Sequence, residues 1–348
     1  MGLSTLRNIR YRGLATCVPR RIVSNFDCPP HLRQERERLI RNIGISQRRI
    51  CAPWQCCSDL AVVAAERLIG ALGWRREEIG ALIVVTQTPD YVMPATAIIL
   101  QDRLGLSNST VAFDINLGCS GYPFGLHVLG ALIAAGAIKK GLVLVGDKST
   151  WLHDPTDPLF SDAASATALE YDASAPPIHF DLNSDGSGHK AIMMPVGGTR
   201  EPADARHFIP YTDEHGISRT SYYRLNLDGP AVLSFSTQRV PPAVKSLLDY
   251  AHAPIDSIDY FVFHQANRMI NETIRKKLGV PVEKTPSTLQ DFGNTSGASI
   301  PVTMTVRIRE ALSAGRNRLL MCGFGIGLSW GTALVDVESA VVPELIEE

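Results

Sequence analysis

The stretch Asp114-Ile-Asn-Leu-Gly-Cys-Ser-Gly-Tyr122, which runs on as PFGLHVLGALIAAG to Gly136, reads as a strand, a glycine-flanked turn and an apolar helix. It delivers one cysteine, Cys119, to the start of that helix. Backbone N–H groups gathered at a helix start favour negative charge, so the local pattern predicts a lowered thiol pKa and a nucleophilic sulfur. A cysteine taken in isolation is more often a small apolar packing residue. The surroundings decide between the two.

Working outward, the chain repeats this order of elements. Glu78-Ile-Gly-Ala-Leu-Ile-Val-Val-Thr-Gln87 has its counterpart in Ser257-Ile-Asp-Tyr-Phe-Val-Phe-His-Gln265, each a continuous apolar run of the kind that makes a buried strand. The helices that follow close in Arg103-Leu-Gly-Leu106 and Lys277-Leu-Gly-Val280, with glycine where left-handed backbone ends a helix. Gly118-Cys-Ser-Gly121 corresponds to Asn294-Thr-Ser-Gly297, each with a proline soon after, Pro123 and Pro301, where a first helical turn tolerates it. Gly141-Leu-Val-Leu-Val-Gly146 and Leu319-Leu-Met-Cys-Gly323 complete the pair as apolar strands ending in glycine. Strands alternating with helices predict an α/β protein with parallel sheets covered on both faces, and the repetition predicts two halves about a pseudo-twofold axis. The loop-like Tyr171-Asp-Ala-Ser-Ala-Pro-Pro177 sets their boundary, giving a half 1–174 that carries the cysteine and a half 175–348. Residues 184–223 are polar and weakly periodic, an insertion or lid-side loop.

The chain has 348 residues, 45% of them hydrophobic, with 34 basic against 35 acidic side chains. That balance argues against nucleic acid as a partner. The N-terminus lacks an apolar signal core and no run is long enough for a membrane span, so the expected location is cytoplasmic. The odd set of 7 cysteines lacks the spacing of a disulfide framework, and CAPWQCC (51–57) lacks the CxxC spacing of a zinc site, so no metal is expected.

Matching loops of a duplicated fold face each other across the pseudo-axis, which brings His264, at the end of Tyr260-Phe-Val-Phe263, and Asn294, in the turn FGNTSGAS, toward Cys119. Each residue type has a use there. A thioester acyl group can move to Cys119, with oxyanion charge held by backbone N–H groups. His264 and Asn294 can donate to the carbonyl oxygen of a malonyl thioester and stabilise the enolate left by loss of carbon dioxide. The carbanion then attacks the acylated cysteine and gives a β-ketoacyl thioester. The glycine-rich turn Cys322-Gly-Phe-Gly-Ile-Gly-Leu-Ser-Trp-Gly331 can add a main-chain N–H near the thioester oxygen.

With these motifs, and the tetrad His264-Gln-Ala-Asn267, the chain resembles the β-ketoacyl-acyl-carrier-protein synthase III family of the thiolase superfamily along nearly its whole length. The resemblance implies a five-layered αβαβα thiolase-like fold, a homodimer, and an EC 2.3.1 acyltransferase of fatty acid biosynthesis. Its catalytic triad would be Cys119, His264 and Asn294, and its oxyanion donors the N–H groups of Cys119 and Ile326. Substrate-binding positions would be Met93, Gly229, Ala266, Asn267 and Phe324, with Met93 at the base of the partner subunit's acyl pocket. The substrates implied are acyl-CoA or acyl carrier protein thioesters, with no bound cofactor. The chain departs from the family where it grips the nucleotide. Arg38 stands where many members have a tryptophan, and Asn42, Pro158 and Met269 replace basic residues, although Arg268 is adjacent. A carrier-protein donor and a specialised role in secondary metabolism are the resulting expectations.

Two other readings fit part of the pattern. Acyl transfer to an alcohol or amine would need Cys119 and a base but not Asn294. The order Cys, His, Asn also occurs in papain-like cysteine proteases, whose local signature around the nucleophile is absent from Leu-Gly-Cys-Ser-Gly.

Overall fold

The structure is a computed structural model that describes residues 2–152, 157–212, 218–219, 221 and 223–348. Its main strands are β1 (Leu3–Leu6), β2 (Ile9–Val18), β3 (Ala81–Val85), β4 (Val111–Ile115), β5 (Lys140–Asp147), β6 (Ala163–Tyr171), β7 (Ile178–Ser184), β8 (Tyr260–Phe263), β9 (Arg316–Gly325), β10 (Ser329–Glu338) and β11 (Ile346–Glu347). They form a six-stranded sheet in the order β11-β2-β6-β5-β3-β4 and a five-stranded sheet in the order β1-β7-β10-β9-β8. The duplication is visible in the pairings. β3 runs parallel to β5, which is antiparallel to β6, which is antiparallel to β2. In the other sheet β8 runs parallel to β9, which is antiparallel to β10, which is antiparallel to β7.

Both sheets are therefore mixed, where alternating strands and helices predicted parallel ones. In the second sheet, connection length explains the difference. Only residues 326–328 separate β9 from β10, and a parallel return needs a crossover of a dozen residues or more. The parallel pairs are those with a helix between them or packed against them.

The principal helices are α1 (Cys57–Leu72), α2 (Thr96–Arg103), α3 (Gly121–Ala134), α4 (Gly229–Tyr250), α5 (Arg268–Leu278) and α6 (Ser299–Arg307). Their sequences assign the layers. A helix apolar on every side must be covered on every side. That describes α3, GYPFGLHVLGALIA, which packs against β3, β5 and β6 of one sheet and β7, β9 and β10 of the other. It also describes α6, buried from Ser299 to Thr305 between β2 and β8. Helix α5, RMINETIRKKL, is amphipathic, burying Ile270, Ile274 and Leu278 at four-residue spacing, and it lies with α4 outside the second sheet. Helices α1 and α2 cover the outside of the first. The result is five layers, helix, sheet, helix, sheet, helix. The largest core cluster runs through the central layer, from Ile9 and Ile83 through Tyr122 and Met304 to Val262 and Met321.

Glycine ends α2 and α5 as the repeat requires: Gly105 and Gly279 stand at φ 60 and 69, in the left-handed region. The 184–223 segment contains a short strand, Ile192–Met193, paired with Asn226–Leu227. Its residues 213–217, 220 and 222 lie outside the described residues, as do His153, Asp154, Pro155 and Thr156 of the motif before Pro158.

Candidate active site

Strand ends from both sheets converge on one cavity of about 90 Å³. Cys119 follows β4, Gln87 follows β3 and Asp147 ends β5, while His264 follows β8 and Phe324 to Ile326 leave β9. Asn294 and Ser296 come from the turn before α6. That turn is pinned by a two-way main-chain exchange: Asn294 N–H donates to the Leu159 carbonyl at 3.0 Å, and Ser161 N–H donates to the Asn294 carbonyl at 2.9 Å. The walls are mostly aliphatic, with Leu152, Leu159, Ile192, Leu225 and Leu227 among them. The segment that begins at Ile192 and ends at Leu227 thus contributes to the cavity wall, as a lid-side segment does.

The local expectation for Cys119 is overturned. It lies before the cap residue Ser120 and two positions short of the helix, half-buried in the cavity wall. Burial pushes the thiol up to about 12, more than offsetting the donors that favour a thiolate, which are the Ser296 hydroxyl and the main-chain N–H groups of Cys119 and Ile326. Those two N–H groups, approaching the sulfur together, are where an oxyanion on a bound thioester would also find donors.

His264 is 2% exposed, and burial drives its imidazole down to about 3, against a weaker opposing main-chain hydrogen bond with Ser296. The ring is a neutral group at any working pH. Its Nδ1 lies 2.7 Å from the Ser299 hydroxyl, and its ring meets Phe324 edge-on at 5.4 Å between centroids. Asn294 accepts from the Ser296 N–H at 2.9 Å and donates to the Ala266 carbonyl at a long 3.4 Å. A raised thiol beside a neutral imidazole is the reverse of the thiolate–imidazolium pair that papain-like chemistry requires.

Of the substrate-binding expectations, Gly229, Ala266, Asn267 and Phe324 line the cavity. Asn267 also caps α5, its side chain accepting from the Ile270 N–H at 2.9 Å. Met93 does not line the cavity of its own chain; it is 79% exposed, beside Tyr91 and Val92 at 64% and 93%. Met269 is exposed as well, and the Pro158 carbonyl accepts from Asn25 Nδ2 at 2.8 Å. Arg38 and Asn42, on the short helix Arg33–Ile43, are exposed. Motif reading missed Asp147, Ser296 and Ser299. The two serines stood in the quoted turn FGNTSGAS, and Asp147 is an acidic residue directly after an apolar strand, a pattern that signals a buried carboxylate.

The chain matches the family model described as 3-oxoacyl-[acyl-carrier-protein (ACP)] synthase III over residues 113–186 and that of its C-terminal part over 248–337. It is 31% identical over 331 residues to a beta-ketoacyl-[acyl-carrier-protein] synthase III of Lactococcus lactis, covering 93% of this chain and 98% of that protein. A Streptococcus pneumoniae protein with the same description is 32% identical over 330 residues, with the same coverage. The crystal structure of a 3-oxoacyl-(acyl-carrier protein) synthase from Burkholderia xenovorans superposes with a TM-score of 0.92 at 37% identity, covering 99% of both chains.

Proposed function

Since this chain belongs to the 3-oxoacyl-[acyl-carrier-protein] synthase III family, we propose that its cavity carries out the family's condensation through Cys119, His264 and Asn294. The enzyme is a β-ketoacyl-ACP synthase III-like acyltransferase of thiolase-like fold. It joins a cysteine-bound acyl group to a malonyl thioester with loss of carbon dioxide.

In the first half-reaction the Cys119 sulfur attacks an acyl thioester, and the N–H groups of Cys119 and Ile326 hold the oxyanion. The pantetheine thiol leaves. In the second, the malonyl thioester carbonyl accepts from the neutral His264 ring and the Asn294 amide as the carboxylate departs, and the enolate carbon attacks the acyl-enzyme. The observation that carries this reading is that Cys119, His264 and Asn294 line one cavity, with the His264 ring buried. A ring held down to about 3 serves as a hydrogen-bond donor to an enolate rather than as a resting cation.

We extend the reading to the substrates and assembly. Arg38 and Met269, standing where a nucleotide grip is missing, favour acyl carrier protein over CoA as the donor of the primer; the cavity's aliphatic walls suit the pantetheine arm. Exposed Tyr91, Val92 and Met93 support a homodimer in which Met93 closes the partner subunit's acyl pocket. Carrier-protein substrates make the enzyme cytoplasmic, and among the described residues no helix is long and apolar enough to cross a membrane. The halves 1–174 and 175–348 supply the cysteine and the two donors respectively.

Intact-mass spectrometry after exposure to a panel of acyl-CoAs and acyl carrier proteins tests this. The wild-type protein gains one acyl group and Cys119→Ala gains none. Carbon dioxide release from malonyl carrier protein falls about 100-fold or more in Asn294→Ala. Acyl addition to Cys119→Ala, or undiminished release from Asn294→Ala, refutes the assignment.

A further inference from the structure

Three observations about Ser296 and Asp147 have no role in the chemistry above. Among the described residues, the non-glycine positions with positive φ are Asn8, His252, Ser296 and Ser339, and only Ser296 lines the cavity. At φ 51 it occupies the left-handed region, where glycine is favoured and a side chain costs stability. Strained backbone retained at an active site points to a use for the side chain. That side chain reaches the nucleophile: Ser296 Oγ lies 3.9 Å from Cys119 Sγ, within range for a hydroxyl–sulfur hydrogen bond. The third observation is Asp147, 1% exposed and lining the same cavity. Its Oδ1 accepts from the Gln87 N–H at 2.7 Å and the Thr86 and Thr88 hydroxyls at 3.1 and 3.3 Å, while Oδ2 is buried without a donor at hydrogen-bond distance.

Resting on the assignment of Cys119 as nucleophile, we propose that the Ser296 hydroxyl is a catalytic donor that stabilises the Cys119 thiolate, and that Asp147 competes for the same hydroxyl when the sulfur is uncharged. A neutral thiol or thioester sulfur is a weak acceptor, so at rest the hydroxyl turns toward the carboxylate. An ionised sulfur is a strong acceptor and draws it back. The thiol proton passes to solvent as the thiolate forms, the sulfur bonds to the acyl carbon, and the departing pantetheine thiolate takes a proton from solvent, so charge balances over the transfer. With the sulfur acylated, the hydroxyl returns to Asp147.

The other groups facing the sulfur do not substitute for this donor. His264 stays neutral, with Nδ1 engaged by Ser299; Asn294 and Gln87 are uncharged; Lys148, next to Asp147, donates to the carbonyls of Ala52, Pro53 and Gln55 at 3.0, 2.9 and 2.8 Å. Asp147 itself acts against the thiolate as a like charge, and the Ser296 hydroxyl is the largest of the effects in its favour.

The test is the rate at which iodoacetamide alkylates Cys119 from neutral to strongly alkaline pH, read on the Cys119 peptide by mass spectrometry. Ser296→Gly suits the φ 51 backbone better than serine and removes the hydroxyl with its methylene, so it should fold at least as stably as the wild type yet react about 10- to 100-fold more slowly near neutral pH, with its inflection moved up. Ser296→Ala should match it in rate. Asp147→Asn is isosteric and keeps the acceptor at Oδ1; it should react about 3- to 10-fold faster, with its inflection moved down. A Ser296→Gly rate within about twofold of wild type overturns the proposal. An Asp147→Asn rate equal to or below wild type overturns the competition, since the carboxylate would then be taking the thiol proton. Alkylation involves no thioester, so these outcomes are independent of whether carbon dioxide release supports the condensation.

Discussion

Replacing Ser299 by alanine removes one oxygen, and the hydrogen bonds around it set the cost. Ser299 is 1% exposed, with Oγ 2.7 Å from Nδ1 of His264 and 3.2 Å from the main-chain nitrogen of Gln265. The hydroxyl oxygen accepts the Gln265 N–H; the expected arrangement points the hydroxyl proton at Nδ1 and puts the imidazole proton on Nε2, the nitrogen that would then donate to a substrate carbonyl. Ser299→Ala strands a buried N–H and a buried ring nitrogen, at about 1–3 kcal/mol each, for a stability loss of about 2–6 kcal/mol. It also releases the tautomer in which Nε2 carries no proton and cannot donate. Losing one donor outright is worth about 10²–10³ in rate, so partial loss of the right tautomer should slow decarboxylation of malonyl carrier protein about 10- to 100-fold with little change in KM. Ser299→Thr, which restores the hydroxyl, should recover most of that rate, as loss of packing alone would not predict. Nitrogen-15 NMR of histidine-labelled protein gives the protonated nitrogen directly. A wild-type His264 protonated on Nδ1, or a Ser299→Ala enzyme that is less stable but decarboxylates at the wild-type rate, refutes the reasoning.

Two further outcomes follow from the same site. Because burial holds His264 neutral down to about 3 while an unfolded chain protonates it near 6.5, the unfolded state binds the extra proton between those values; stability is fully present above about pH 6.5, declines as pH falls, and has lost about 4–5 kcal/mol at the bottom of the range. Denaturant titrations at neutral pH and at about pH 4 should show that decline, and His264→Gln should flatten it; an equal decline in the variant assigns the acid sensitivity elsewhere. Gly325, at φ 157, faces the nucleophile so closely that a Cβ built on it falls 2.8 Å from Cys119 Cβ and 3.2 Å from Sγ. Gly325→Ala should cut acylation of Cys119 about 100-fold or more, measured by rapid quench and intact mass, and an unimpaired acylation rate would show that the β9 turn does not pack against the sulfur as described.

The duplication was legible because apolar strands and C′ glycines leave local marks. The runs ALIVV and YFVF are apolar throughout, as strands covered on both faces are, and they became β3 and β8, each parallel to its neighbour. The antiparallel flank of the second sheet was not legible from alternation, since it depends on a three-residue turn after Gly325 whose brevity matters only once the strand ends are known. The residues picked out by the repeat, Cys119, His264 and Asn294, lie in one cavity, because strand ends at matching positions converge in three dimensions. What the motif misjudged was the charge state. A helix start is a local feature, whereas the burial that pushes Cys119 up and His264 down is a sum over both halves. Ser296, Ser299 and Asp147 escaped notice for the same reason, since their partners come from distant segments.

The two ends of the chain cross over. β1 pairs with β7 in the second sheet, while β11 pairs with β2 in the first, where Arg49 meets Glu347 at 2.7 Å and the Glu348 N–H donates to the Val18 carbonyl at 3.0 Å. Each sheet is thus finished by a strand from the far end of the polypeptide, and the molecule is latched twice across its own midline. A cut in the loop at 172–177 would yield two fragments, each holding an edge strand that belongs to the other and each with an open sheet edge to fill. The two halves are thereby tied to each other at both ends of the chain. The cavity at their seam shares that constraint: the spacing between the sulfur on one side and the donors on the other is set by the whole chain, from its first strand to its last.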